Sequence, residues 1–279
     1  MPATTLTELL QNGVHFGHQT SRWNPKMRPY IFASRGGIHI LDVAQTVTLL
    51  EEACAFGENT VAQGGQILFV GTKKQAHDTI EAECQRSAQP YVVNRWMGGM
   101  LTNFEVVKLQ LKRLADLSEH KERDGFGGMI KKEQRHREDD LARLLRNFGG
   151  ITNMKRLPAA IFVVDPHKER LAVMEANKLD IPVIAITDSN CNPDEIAWVI
   201  PGNDDAIRSV RLIVTRLTDS IVSGLDQRHK IELAQAQVAA EKAEQLRQAQ
   251  EVEALAAAEA AAAEPIDPAE PAEGAEAAE

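Results

Sequence analysis

The amino-acid sequence predicts a doubly wound α/β domain, on three observations. Short uncharged apolar runs, such as Ile161-Phe162-Val163-Val164 and Val183-Ile184-Ala185-Ile186, read as strands buried on both faces. Segments with helical spacing separate them, which points to a parallel sheet covered on each side. Between Leu101 and Gly150 this alternation stops, and a stretch of another kind is inserted.

The elements follow in order. Thr5 with Glu8 three residues later forms a capping box, predicting a short helix through Leu9 to Gln11 that stops at Gly13. Val14 to Pro29, with two prolines and no apolar periodicity, reads as irregular. Tyr30–Ala33 and Ile38–Leu41 flank Ser34-Arg35-Gly36-Gly37 and read as a β-hairpin with a glycine turn. Asp42 caps a helix carrying Val43, Val47, Leu50, Cys54, Gly57 and Val61, which ends at Gly64-Gly65. The alternation then begins: strand Gln66–Val70, helix Lys73 to Ser87, strand Tyr91–Val93. After the insertion come strand Ala160–Val164, helix Pro166–Lys178, strand Val183–Thr187, a short helix near Asp194, strand Trp198–Ile200 and a long helix from Asp205.

Within the insertion, Phe104, Val107, Leu111, Leu114 and Leu117 form one helical stripe, broken by Gly125-Phe126-Gly127-Gly128. Apolar spacing returns only at Leu141, Leu145 and Phe148, so the insertion reads as a projecting antiparallel helical hairpin. Lys131 to Asp140, ten residues without an apolar side chain, are placed between its arms, at a solvated or partner-held tip. Residues 231–263 are rich in Ala, Glu and Gln and favour helix. Pro265, Pro268 and Pro271 then predict an extended, disordered acidic end. The expected organisation is an N-terminal segment 1–41, an α/β domain in two pieces, 42–101 and 151–225, an inserted hairpin 102–150, and a tail 226–279.

Charge is distributed unevenly. The formal net charge is −9, yet residues 231–279 alone carry 12 acidic and 2 basic side chains, which leaves the other 230 residues close to neutral. Residues 9–41 contain no carboxylate but hold Arg22, Lys26, Arg28 and Arg35, so a local positive field is expected on an acidic chain. Cys54, Cys84 and Cys191, odd in number and widely spaced, fit a reducing compartment and argue against a disulfide framework. No run of apolar residues is long enough to span a bilayer. Met1 to Thr7 lacks the basic and apolar regions of a secretory signal.

Catalytic patterns fit poorly. Gly71-Thr72-Lys73-Lys74 follows a strand and opens a helix, where amides can hold a phosphate. The order is wrong for a Walker loop, however, and Gly71 lacks the partners of a dinucleotide fingerprint, so a simple helix cap is preferred. There is no Gly-x-Ser-x-Gly elbow, and no cysteine lies in a nucleophile signature. His15 and His18 read as packed, hydrogen-bonded residues of an ordered loop. Asp165, Asp188, Asp204 and Asp205 all fall at the carboxyl edge of the expected sheet, where open α/β folds bind ligands. Asp188, Asp204 and Asp205, with His18, form a candidate site for a structural divalent metal; no cofactor is otherwise required. The competing reading has Asp204 or Asp205 capping the long helix while Arg208 or Arg211 balances the charge.

Nucleic-acid signals are stronger. Arg22, Lys26, Arg28 and Arg35 are mixed with Phe16, Trp23, Tyr30 and Phe32, and Arg95 and Trp96 repeat the combination. Cations contact phosphates and rings stack on unpaired bases. Lys131 and Lys132 repeat the charge on the hairpin. The blocks Val14-His15-Phe16-Gly17-His18, Trp23-Asn24-Pro25-Lys26-Met27, Phe69-Val70-Gly71-Thr72-Lys73, Arg95 through Asn103, and Ile200 through Arg208 resemble one family, bacterial small-subunit ribosomal protein two, over about residues 5–225. The resemblance implies a flavodoxin-like α/β domain and a non-enzymatic, cytoplasmic constituent of the small ribosomal subunit. It also implies contacts with small-subunit ribosomal RNA and with neighbouring ribosomal proteins, especially the large mRNA-binding ribosomal protein one, and no membrane or small-molecule partner. Two rival readings are an enzyme holding a phosphorylated ligand at Gly71–Lys73 and a protein-only scaffold working through the hairpin.

Overall fold

A computed structural model describes residues 5–262. The described residues fall into two compact units that divide after Arg228, and every buried apolar side chain among them belongs to the first. The first unit opens with helix α1 (Leu6–Gln11), its first turn capped by the Thr5 hydroxyl, which accepts from Glu8 N. Strand β1 (Phe16–Gln19) follows, then two 3-10 turns, strand β2 (Ile31–Arg35) and strand β3 (Ile38–Leu41). These strands form an antiparallel sheet in the order β1-β3-β2. The β2–β3 turn is built on Gly36 and Gly37, both at positive φ, the conformation that matches the twist of paired strands and that side chains resist. Strand β1 corrects the reading of Val14 to Pro29 as wholly irregular. It is a short edge strand whose pairing depends on β3, twenty residues downstream, and local pattern does not reveal that.

Helix α2 (Val43–Ala62), capped by Asp42, leads into the main sheet. That sheet contains β4 (Ile67–Val70), β5 (Tyr91–Val92), β6 (Ala160–Val164), β7 (Val183–Thr187) and β8 (Trp198–Pro201). All neighbours are parallel, in the order β5-β4-β6-β7-β8. Helices α3 (Lys74–Ser87), α6 (Arg170–Lys178) and α7 (Ile207–Ala262) follow β4, β6 and β8.

Strand periodicity sorts the core into two clusters. Leu68, Val70, Ile161, Val163, Val183 and Ala185 pack on one side with Ala172, Val173 and Ala176 of α6 and with the base of the insertion. The alternate residues Ile67, Phe69, Phe162, Val164, Ile184 and Ile186 meet α2, α3 and α7 on the other. Each strand is therefore apolar throughout because both of its faces are covered.

The insertion is helix α4 (Phe104–Asp124) followed by α5 (Lys131–Phe148). Its polar run corrects the expected tip: Lys131 to Asp140 is helical and forms the first half of the second arm. Its Lys, Glu, Gln and Arg residues are good helix formers, and buried Asp140 pairs with Arg113 of α4 at 2.6 Å and with Arg143 at 2.9 Å. Leu144, not Leu145, continues the buried stripe with Leu141 and Phe148, and Phe126 folds back to cover the distal end. Helix α6 starts at Arg170, later than expected, because Pro166 to Glu169 form turns. The tail is helical as far as Ala262, and the expected disordered, proline-containing end lies outside the described residues. Among the described residues no helix is long and apolar enough to cross a membrane.

The insertion returns to the sheet at Gly150, where a Cβ would lie 2.2 Å from the Tyr91 carbonyl oxygen. Gly150→Ala must therefore displace either β5 or the return of the arm. It should lower stability by about 1–3 kcal/mol, the usual cost of overpacking. Gly149→Ala, with no neighbour within 4 Å, should stay within roughly 0.5 kcal/mol of the parent. Urea denaturation followed by circular dichroism measures both.

Candidate ion-pair cluster and nucleic-acid interface

The carboxyl ends of β4 and β6, with the loop after β8, converge on one ammonium group. Lys73, at the N-terminus of α3, is buried, and its Nζ lies 2.8 Å from Asp165, 2.7 Å from Asp204 and 2.8 Å from Asp205. Burial acts to lower the Lys73 pKa. The charge of Asp204 and hydrogen bonds to the three carboxylates outweigh it, so the value is raised and the ammonium persists. Asp165 sits at positive φ, which Asp tolerates, and its Oδ1 accepts from Lys168 N at 3.0 Å. Asp204 is fully buried; desolvation, then the charges of Asp165 and Asp188, push its pKa up to about 7 despite Lys73. Asp205 is half exposed; burial would raise its pKa, but the hydrogen bond from Lys73 prevails and lowers it.

Adjacent to this cluster lies His18 on β1. Its Nδ1 is 2.9 Å from Asp188 Oδ2 and its Nε2 is 3.4 Å from Asp205 Oδ2. The hydrogen bond to Asp188 is the largest cause raising the His18 pKa to about 9, against the opposing effect of burial. The backbone N–H of His18 donates to Asp188 Oδ1 at 3.1 Å and to Ser189 Oγ at 2.9 Å. Gly17 permits this approach, since a Cβ there would lie 3.1 Å from Asp188 Oδ1, Ser189 Oγ and the His39 carbonyl. Asn24 N donates to Ser189 O at 2.8 Å and Asn203 N to Val14 O at 3.0 Å, so the N-terminal segment is stapled along the sheet edge.

Three expectations change here. Asn203 holds the turn that leads into the long helix, its Oδ1 accepting from Asp205 N at 2.9 Å and Ala206 N at 3.1 Å, and among the described residues neither the Asp204 nor the Asp205 carboxylate accepts from a backbone N–H of that helix. The carboxylates are balanced by Lys73, whereas Arg208 and Arg211 are exposed. Sequence separation hid this partner: Lys73 and Asp204 are 131 residues apart. The expected metal ligands do come together: one ligating atom each from His18, Asp188 and Asp204 lies within 4.8 Å of the others. Asp205 is turned towards Lys73 and His18 instead.

The crevice where such folds take phosphates is filled from within. Glu169 Oε1 accepts from Thr72 N at 3.2 Å and from the Thr72 hydroxyl, while Lys168 Nζ donates to Thr72 O at 3.1 Å. A carboxylate thus stands where an anion would bind, which removes the rival reading of a phosphate site at Gly71–Lys73.

The basic and aromatic candidates separate by exposure. Arg22, Arg28, Arg35, Arg95, Lys131 and Lys132 are exposed and make no ion pair among the described residues. Lys26 is exposed but paired with Asp194. Trp23 is half-buried, its ring 5.0 Å from that of His39. Trp96 is a correction: it is 6% exposed, belongs to the core, and donates its Nε1–H to Glu175 at 3.1 Å, so no face is left for a base. The candidates occupy separate parts of the chain: the 3-10 turns and strand β2 of the N-terminal segment, the loop after β5 and the start of α5.

Comparison with known proteins matches residues 9–224 to the family Ribosomal protein S2. The chain is 52% identical over 235 residues to small ribosomal subunit protein uS2 of Roseiflexus castenholzii, covering 84% of this chain and 88% of that protein. It is 52% identical over 223 residues to the protein of that name from Sorangium cellulosum, covering 80% of each. With the Mycobacterium bovis protein it shares 49% over 243 residues, 87% of this chain and 85% of the relative.

Replacing the buried ammonium tests the cluster. Lys73→Met leaves buried carboxylates without a counter-charge and should cost about 3–5 kcal/mol at neutral pH. Lys74→Met, on the exposed neighbour, should change stability by less than about 0.5 kcal/mol. Urea titrations of both variants in the presence of a chelator give the comparison.

Proposed function

The chain belongs to the ribosomal protein S2 family, a family of ribosomal proteins and not of enzymes, and on that premise we propose that it is a structural constituent of the small ribosomal subunit that binds small-subunit ribosomal RNA. The observation carrying this reading is the set of exposed guanidinium groups, Arg22, Arg28 and Arg35, which make no ion pair among the described residues and lie within a stretch, residues 9–41, that contains no carboxylate. Guanidinium groups contact phosphate bidentately and stack on bases, and here they are free to do so. Arg95 and the Lys131-Lys132 pair extend the reading to the loop after β5 and to the projecting arm. The strand order and the cover on both sheet faces support a flavodoxin-like, doubly wound domain, with the hairpin 102–150 as a separate RNA-contacting part. The family resemblance also supports a place in the cytoplasm on the ribosome, beside neighbouring ribosomal proteins, and a part in holding the large mRNA-binding ribosomal protein one.

Filter binding to small-subunit ribosomal RNA over a range of salt concentrations tests the RNA reading. Log affinity should fall linearly with log salt, at a slope near −0.9 per phosphate neutralised on duplex-like RNA. Removing Arg22 and Arg28 together, as alanine, should weaken binding and reduce that slope by about two. Lys26→Ala should do less, because Asp194 already holds its charge. An unchanged slope in the double variant would take the N-terminal sheet out of the interface.

A second reading concerns the acidic edge. His18, Asp188 and Asp204 offer converging nitrogen and oxygen donors, and Asp204 Oδ2 is buried without a hydrogen-bond partner among the described residues. We infer that these residues, with Asp205 alongside, hold a structural divalent cation. Mixed imidazole and carboxylate donors suit zinc. Elemental analysis of dialysed protein should find about one metal per chain and none in the Asp188→Asn/Asp205→Asn variant. Equal metal content in both proteins would sink the idea.

A further inference from the structure

Glu175, on α6, accepts five hydrogen bonds from a single loop. Its Oε1 takes Trp96 Nε1–H at 3.1 Å and Gly99 N–H at 2.7 Å. Its Oε2 takes Leu101 N–H at 3.0 Å, Thr102 N–H at 3.1 Å and the Thr102 hydroxyl at 3.1 Å. Those bonds use essentially all the acceptor capacity of a carboxylate. Burial would raise the Glu175 pKa, but the backbone donors Thr102, Gly99 and Leu101 outweigh it and lower the value, so the acceptor stays ionised.

The loop it holds joins two parts of the expected RNA interface. Arg95 lies at its start, exposed and without an ion pair among the described residues, and Phe104 at its end begins the first arm of the hairpin. Gly99, at φ +89, turns the chain so that amides on both sides of it point at the same carboxylate. On the far side, Asn94 Nδ2 donates to Arg146 O of α5 at 2.8 Å, tying the loop to the returning arm. One side chain therefore fixes the relation between Arg95, the base of the hairpin and the sheet.

We propose that Glu175 is the positioning residue of the RNA interface: it sets the geometry in which Arg95 and the hairpin meet structured RNA, and so governs which RNA is selected more than how strongly phosphate is held. This rests on the RNA-binding reading above. Glu175 contributes no cation, so its loss should leave counterion release untouched. What it supplies is shape, which only a folded RNA can register.

The test compares the full-length parent, Glu175→Gln and Glu175→Asp on two probes, bacterial small-subunit ribosomal RNA and polyuridylate. The parent should favour the ribosomal RNA; a parent without that preference would remove the RNA reading itself. With the preference in place, Glu175→Gln turns an NH2 towards N–H donors. It should lose roughly tenfold in affinity for ribosomal RNA, the scale of a charged hydrogen bond lost at a site. Its affinity for polyuridylate and its salt slope should match the parent, and Glu175→Asp, which keeps the charge, should recover part of the loss. Equal losses on both RNAs, or no loss on either, would overturn the proposal. If Glu175→Gln does not fold, amide exchange in the parent decides. Gly99, Leu101 and Thr102 should be protected, more so with ribosomal RNA bound, and exchange at open-loop rates would overturn the assignment.

Discussion

A lysine ammonium held among three carboxylates joins parts of the chain that are far apart in sequence. Lys73 follows the first strand of the parallel sheet, Asp165 the third, and Asp204 and Asp205 the last. In an α/β sheet these positions share one edge, so the fold brings three like charges together. An uncompensated buried charge costs several kcal/mol, and the buried ammonium offsets part of that cost from within the chain. The position it takes has a further effect. Lys73 points down into the carboxylates, and Glu169 closes the amide pocket above it, so the crevice that other proteins of this architecture offer to phosphates is filled with the protein's own groups. A scaffold commonly used for small-molecule chemistry is thereby occupied by its own side chains in the crevice between β4 and β6.

Much of the fold was legible because each strand of the parallel sheet is apolar on both faces. Runs such as Ile161 to Val164 suit short strands buried on both faces, and the helices between them carry three-four stripes. Edge strand β1 was not legible, because a four-residue segment with no buried side chain acquires its identity from the strand it pairs with. The second hairpin arm was misread for a related reason. Lys131 to Asp140 has the propensity of a helix but none of the apolar spacing that reveals one, since ion pairing at Asp140 replaces apolar contact there.

The candidate site was read less well, and charge explains why. Residues 9–41 contain no carboxylate, which suggested an unopposed positive segment. In the folded chain, Asp188 and Asp205 face His18 and Asp194 faces Lys26, all supplied from about 170 to 190 residues away. A positive field computed segment by segment cannot include partners that only the topology delivers. The arginines escape this pairing where the lysine does not, and the distinction between Trp23 and Trp96 is likewise one of position: both have the residue type of a stacking platform, but only Trp23 lies near the surface.

The hairpin leaves the sheet just after the short strand β5 and returns at Gly150, whose backbone lies against the Tyr91 carbonyl of that same strand. Exit and return therefore meet at one point on the sheet margin, like the two ends of a closed clasp. Loop-closure entropy grows only logarithmically with the length enclosed, and none of the parallel register between β4 and β6 passes through the arm. Whole helical turns, each about 5.4 Å, can thus be gained or lost beyond the clasp without altering the foundation. The distance over which this protein reaches is an adjustable dimension, set apart from the sheet that carries it.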